Sequence, residues 1–145
     1  MVPVKLQGAL LKKVFAFDKT LNASGRIEVL VVFENVPGED HSAVVQAFNE
    51  LSVSARAVAM TDLENELGPT TVIYLPVGTP SVREVSRKHG TLTVGGNHSL
   101  VHAGEAVIAI GMLDGKPRIL INQTALQASR HEMSSKLLQL ATLVE

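Results

Sequence analysis

The octapeptide "RIEVLVVF", residues 26–33, is a nearly continuous β-branched and apolar run set between two turn-forming stretches, "NASG" (22–25) and "ENVPGED" (34–40). Such a run, without alternation of polar and apolar positions, marks a strand buried on both faces. It predicts the centre of a sheet that carries helices above and below.

The neighbouring segments fit that frame. On the N-terminal side, Val4, Leu6, Leu10, Leu11, Val14, Phe15 and Phe17 recur mostly at helical spacing, with Lys5, Lys12 and Lys13 elsewhere on the wheel, so an amphipathic helix opens the chain. On the C-terminal side, Glu39 or Asp40 can cap a helix through "HSAVVQAFNEL" (41–51), whose apolar face is Val44, Val45, Ala47, Phe48 and Leu51. "SARAVAM" (54–60) reads as a second strand. Thr61 and Glu64 have the spacing of a capping box for a short helix "DLENEL" (62–67), which Gly68-Pro69 ends.

"TTVIYLP" (70–76) is a third strand. Thr79 then precedes Pro80 at an expected first helical position, and "SVREVSRKHG" (81–90) runs as a helix to a terminal glycine. "TLTVG" (91–95) is a fourth strand, "GNHSLVHAG" (96–104) a loop or single helical turn, and "EAVIAIGML" (105–113) a fifth strand. Asp114-Gly115 is a two-residue hairpin signal that brings "KPRILIN" (116–122) back antiparallel. A joint rich in Ser, Arg, His and Glu follows, and "SSKLLQLATLV" (134–144) reads as a closing helix.

Strand and helix alternate through most of this order. The expected fold is therefore three-layer α/β, a mainly parallel sheet with helices on both faces and an antiparallel C-terminal hairpin edge. With 145 residues, 46% of them hydrophobic, and no repeat or low-complexity linker, the chain is expected to form one domain over residues 1–145. Only four Phe, one Tyr and no Trp are available, so the core is aliphatic.

Composition removes several function classes. Thirteen basic residues against fourteen acidic ones give a formal net charge of -1, which provides no one-sided basic field for nucleic acid. The absence of cysteine removes disulfides, thiol nucleophiles and thiolate metal sites. No apolar run reaches the roughly eighteen residues of a membrane span. The N-terminus lacks the three parts of a secretory signal. The expected location is cytoplasmic if Met1 is the native start, and periplasmic if a signal peptide once preceded it.

Candidate chemistry is sparse. His98 and His102 would project from one face of a helix as two zinc ligands do, with His89, Asp62 or Glu105 as a third. No "HExxH" accompanies them, and no metal site is expected. "VGGNH" (94–98) follows a strand and could cradle an anion, but it lacks the longer glycine pattern and the lysine of phosphate loops. A turn with positive backbone angles at Gly95 or Gly96 is the simpler expectation. A response-regulator phosphoacceptor is excluded because "TTVIYLP" ends in Pro76 with no aspartate.

Ser134 or Ser135 beside His131 and Glu132 invites an acyl-transfer reading. Sequence neighbours at a helix start seldom assemble into nucleophile, base and orienting carboxylate, and no strand-turn-helix elbow surrounds these serines. A serine capping the helix is the expected role.

The segments "DGKPRILIN" and "TALQASRHEMSSKLLQLATLV" together resemble the C-terminal signature of the YfiR/HmsC family. There a hairpin strand ends in asparagine, a short helix follows, and a serine pair opens a helix of the "SSxLLxLA" type. Asn122, Ser134, Ser135, Leu137, Leu138, Leu140 and Ala141 match it, and Gly104 lies near the family's glycine. The match is specific over roughly residues 90–145. The family's tryptophan-proline pair and its cysteines are absent, so a disulfide within this chain is not the switch.

The resemblance implies a periplasmic, non-catalytic domain, without cofactor, that controls a membrane-bound diguanylate cyclase or serves as the input module of a sensor kinase. A homodimer is the expected assembly. Leu6, Leu10, Val14 and Phe17 of the opening helix are the expected partner contacts, unless that helix simply covers the sheet. In the alternative of a small-ligand sensor, the pocket lies at the carboxyl ends of the parallel strands and is lined by Asn35, Pro76, Gly95, Gly96 and Asn97.

Overall fold

The computed structural model describes residues 2–23, 27–34, 39–68, 70–76 and 80–144. The elements are α1 (Val4–Ala16), α2 (Lys19–Ala23), β1 (Glu28–Phe33), α3 (Glu39–Glu50) and β2 (Ser54–Ala59), then a 3-10 helix (Met60–Glu66) and β3 (Thr71–Leu75). They continue as α4 (Arg83–His89), β4 (Leu92–Gly95), α5 (His98–His102), β5 (Ile108–Leu113), β6 (Lys116–Asn122), α6 (Gln123–Ser129), α7 (Ser135–Leu140) and β7 (Thr142–Val144).

One mixed sheet runs in the order β2-β1-β3-β4-β5-β6-β7. β2, β1, β3, β4 and β5 are parallel, β6 returns antiparallel to β5, and β7 pairs parallel to β6. β1 is buried on both faces, as its composition predicts, but it lies second from the β2 edge, not at the sheet's centre: Val29 and Val31 enter one apolar layer, Leu30 and Val32 the other, all four at 0% exposure. The first layer is closed by α1, α3 and α7 through Leu11, Val14, Phe15, Phe48 and Leu137. The second is closed by the 3-10 helix, the start of α4 and α5 through Leu63, Val82 and Val101. The α/β fold with helices on both faces of a mostly parallel sheet is the expected one.

The β5-β6 hairpin turns at Asp114 (φ 52) and Gly115 (φ 74), the two left-handed positions that the dipeptide signals. α4 ends at Gly90 with φ 63, again as its glycine predicts.

Four local expectations are corrected. The segment after β2 is a 3-10 helix that begins at Met60, one residue before Thr61, and its N-cap Ala59 offers no side chain, so the Thr61–Glu64 capping box does not form. α4 begins at Arg83 after Val82, which leaves Pro80 outside the helix, and Thr79 lies outside the described residues. The closing helix stops at Leu140: Ala141 is extended (φ -93, ψ 157), and Thr142–Val144 pair with Leu120–Asn122 of β6. The unpaired backbone of β6 offers this short segment hydrogen bonds that a continued helix would forgo. The fourth concerns Gly95 and Gly96, whose backbones are not left-handed; Gly90, Gly104 and Gly115 are. The expected cap of α3 by Asp40 or Glu39 involves side chains outside the described set.

Candidate functional site

The joint between α6 and α7 is a clasp. Asn122 caps α6, its Oδ1 accepting from Ala125 N at 2.9 Å, while its Nδ2 donates to Val101 O at 2.9 Å and ties α5 to the cap. Arg130, left-handed at φ 62, ends α6 and donates from Nη2 to the carbonyls of Arg87 and Lys88 at the end of α4. The chain then turns inward at His131. Its Nδ1 lies 2.7 Å from Asp18 Oδ2 and its Nε2 lies 2.8 Å from Gly90 O, with both side chains at 0% exposure.

Both ring nitrogens thus face oxygen partners inside the fold. The second Asp18 oxygen, Oδ1, accepts from Leu21 N at 3.0 Å. Backbone bonds from Lys19 N to Glu132 O and from Ser134 N to Phe17 O, each 2.8 Å, flank the pair.

This geometry decides the role of the serines. Ser134 Oγ accepts from Lys136 N at 3.3 Å as the N-cap of α7, and Ser135 is the exposed first residue of that helix. The imidazole that a nucleophile would need spends both nitrogens elsewhere.

At the carboxyl end of β4 the expected pocket is filled by the chain itself. A Cβ on Gly96 would overlap the Gln7 side chain, and one on Gly95 would lie 2.6 Å from Leu100 Cδ1. Gln7, 2% exposed, donates from Nε2 to Val2 O at 2.7 Å and accepts at Oε1 from the Tyr74 hydroxyl at 2.6 Å. Close packing, not turn geometry, is why glycines stand here. Asn97 caps α5, accepting from Ser99 N at 2.9 Å; Pro76 is half-buried, and Asn35 lies outside the described residues.

The four residues expected to meet a partner divide. Val14 is wholly buried, Leu10 and Phe17 pack partly buried against the first apolar layer, and Leu6 is 38% exposed. His98 and His102 stand with ring centroids 5.8 Å apart and planes nearly perpendicular, and no cluster of three metal-ligating side chains occurs among the described residues.

A different cleft, missed by the sequence reading, opens in the helical layer that covers the second apolar layer. It encloses about 620 Å³ between the 3-10 helix and α4, and is lined by Met60, Thr61, Leu63, Glu64, Ser81, Arg83, Glu84, Val85 and Glu105.

Polar links close the cleft at each end. Glu64 Oε2 bonds Lys88 Nζ at 3.1 Å and His89 Nε2 at 3.0 Å, and these two partners, the histidine first, hold the Glu64 carboxyl below the ordinary glutamate range. At the other end Arg83 Nη2 donates to Glu105 Oε1 at 2.9 Å and to Ala103 O at 2.8 Å, while Ser81 Oγ donates to Glu105 Oε2 at 2.5 Å. Arg83 Nε is buried with no partner. No local sequence signal marks this group, because its members come from three separate segments.

The fold is that of an α/β domain with helices on both faces of a mostly parallel sheet. The chain matches the family model described as YfiR/HmsC-like over residues 7–142, and it belongs to that family. The family is one of non-catalytic regulatory domains of the periplasm, and this chain shares that character and compartment. No helix among the described residues is long and apolar enough to cross a membrane. No curated protein matches the sequence.

Two solved structures share the fold. One, described as the ABC domain in complex with L-Trp from Streptococcus pneumonia, is 12% identical with a TM-score of 0.67, and the match covers 98% of this chain and 60% of that one. The other, a conserved domain protein from Vibrio cholerae, is 15% identical with a TM-score of 0.66, covering 100% of this chain and 61% of that one. This chain therefore spans about three fifths of the length of either.

Proposed function

We propose that this domain is a small-ligand sensor whose occupancy sets the activity of a membrane-bound signalling enzyme, a diguanylate cyclase or a sensor kinase. The observation that carries the reading is the cleft between the 3-10 helix and α4. Its Arg83 holds a buried donor without an acceptor. Its volume, about 620 Å³, lies within the usual range for small-molecule sites. The L-Trp described in the pneumococcal relative gives the same fold a precedent for small-molecule binding.

A ligand can shift an equilibrium only through different affinities for two states. The cleft offers such a difference, because its two ends are held by ion pairs that a ligand can loosen or reinforce. The partner would then feel the change on the domain surface, where Leu6 of α1 supplies an exposed apolar contact, with Leu10, Val14 and Phe17 holding the helix to the sheet.

Thermal unfolding against a library of periplasmic metabolites tests the reading. A saturable rise in Tm that a cleft-filling Thr61→Trp variant abolishes supports it. A rise that survives the variant, or none from any compound, contradicts it.

A further inference from the structure

The geometry points to a small carboxylate-bearing molecule with an apolar body as the ligand of the cleft between the 3-10 helix and α4, bound by Arg83 in place of Glu105. This inference rests on the sensor reading and names its ligand class and its switch.

The key feature is how Glu105 divides its oxygens. Oε1 takes Arg83 Nη2 and Oε2 takes the Ser81 hydroxyl, so Glu105 does not grip the guanidinium through two parallel bonds. Arg83 Nε is left buried and unmet, a costly state for a charged donor. A free carboxylate is not tied to Ser81. It can bridge Nε and Nη2 side by side, the strong bidentate geometry of arginine with carboxylates. The Arg83 side chain is 40% exposed, so it has room to swing toward the cleft.

The other carboxylates of the lining do not forbid an anion. Glu64 is already paired with Lys88 and His89. Glu84 is exposed, where solvent screens it, and it becomes an asset if the ligand also carries an ammonium group. Leu63, 1% exposed, floors the cleft, and Met60 and Val85 are partly buried in the same apolar layer. They provide the wall for the ligand's apolar body.

Exchange of partners has a structural consequence. Arg83 joins the start of α4 to Glu105 in the segment between α5 and β5. Drawing it onto a ligand releases that segment, and occupancy becomes a change on the surface.

The test is calorimetric titration of the full chain with 4-methylpentanoate, leucine and leucine methyl ester, repeated on Arg83→Lys and Thr61→Trp. The first two compounds separate a plain carboxylate from an amino acid, and the ester lacks the anionic group. The expected result is saturable binding of at least one free carboxylate, no binding of the ester, and an affinity loss of about tenfold or more in Arg83→Lys. Arg83→Lys retains the charge but loses the two-point grip; the melting temperature of each variant without ligand reports whether it folds.

Equal binding of the ester, or unchanged affinity in Arg83→Lys, overturns the inference. If neither carboxylate binds while another metabolite does so in a Thr61→Trp-sensitive way, the ligand class falls and the sensor reading stands. If Thr61→Trp leaves carboxylate binding intact, the cleft is not the site and both fall.

Discussion

His131 and Asp18, 113 residues apart in sequence, meet at 2.7 Å with neither side chain exposed to solvent. An imidazole and a carboxylate in contact are familiar from catalytic sites. Here the imidazole's other nitrogen is bonded to Gly90 O, and the aspartate's other oxygen is bonded to the Leu21 amide. The pair joins three places in the fold: the α1-α2 junction, the end of α4 and the α6-α7 joint. Its work is structural.

Removing either partner leaves the other buried and uncompensated. His131→Ala and Asp18→Ala should each destabilise the domain by about 3–5 kcal/mol, and the double variant by clearly less than their sum. Denaturant unfolding of the four proteins measures this, and strict additivity would count against the clasp.

Ser134 and Ser135 should separate cleanly. Ser134→Ala removes the N-cap of α7 and should cost about 1 kcal/mol. Ser135→Ala, at an exposed first helical position, should fall within about 0.5 kcal/mol of the parent. Neither should alter partner binding, which co-purification with the partner's ectodomain reads.

Gly96→Ala should destabilise by about 1–3 kcal/mol, because its methyl group displaces the Gln7 carboxamide from the Tyr74 hydroxyl. Adding Gln7→Ala relieves the overlap, so the double variant should lose less than the sum of the two single changes. Urea midpoints of the three variants and the parent decide it.

The Glu64 carboxyl is held below its ordinary range by His89 and Lys88. For a group depressed in the folded state, the stabilisation is present above its unfolded value and is lost as pH falls through the folded one. The link between the 3-10 helix and α4 should therefore weaken on the acid side of the glutamate range. Comparing stability against pH for the parent and Glu64→Gln checks the sign: the parent should lose the extra increment on acidification, and the variant should lack it.

The sheet was largely legible in the sequence because its signals are local. The β-branched run around Val29–Val32, the Asp114-Gly115 turn, the terminal Gly90 and the serine cap of the closing helix each carry their cause within a few residues. What stayed hidden depends on distance in sequence. The ring of His131 does not reveal Asp18, Gly96 does not reveal Gln7, and Arg83 does not announce Glu105. "ATLV" continues the apolar spacing of the helix before it, and only the presence of β6 alongside makes Thr142–Val144 a strand. Val14 looked available on the helical wheel, yet it lies wholly within the core.

The central claim is that the domain regulates by binding. It is tested most directly by titrating the chain, in a calorimeter, into the purified periplasmic part of the proposed partner, a membrane-bound diguanylate cyclase or sensor kinase. The account predicts saturable association with a dissociation constant of about 1 μM or tighter, changed in strength when a cleft ligand is present. No heat at about 100 μM of either protein, with ligand or without it, would contradict it.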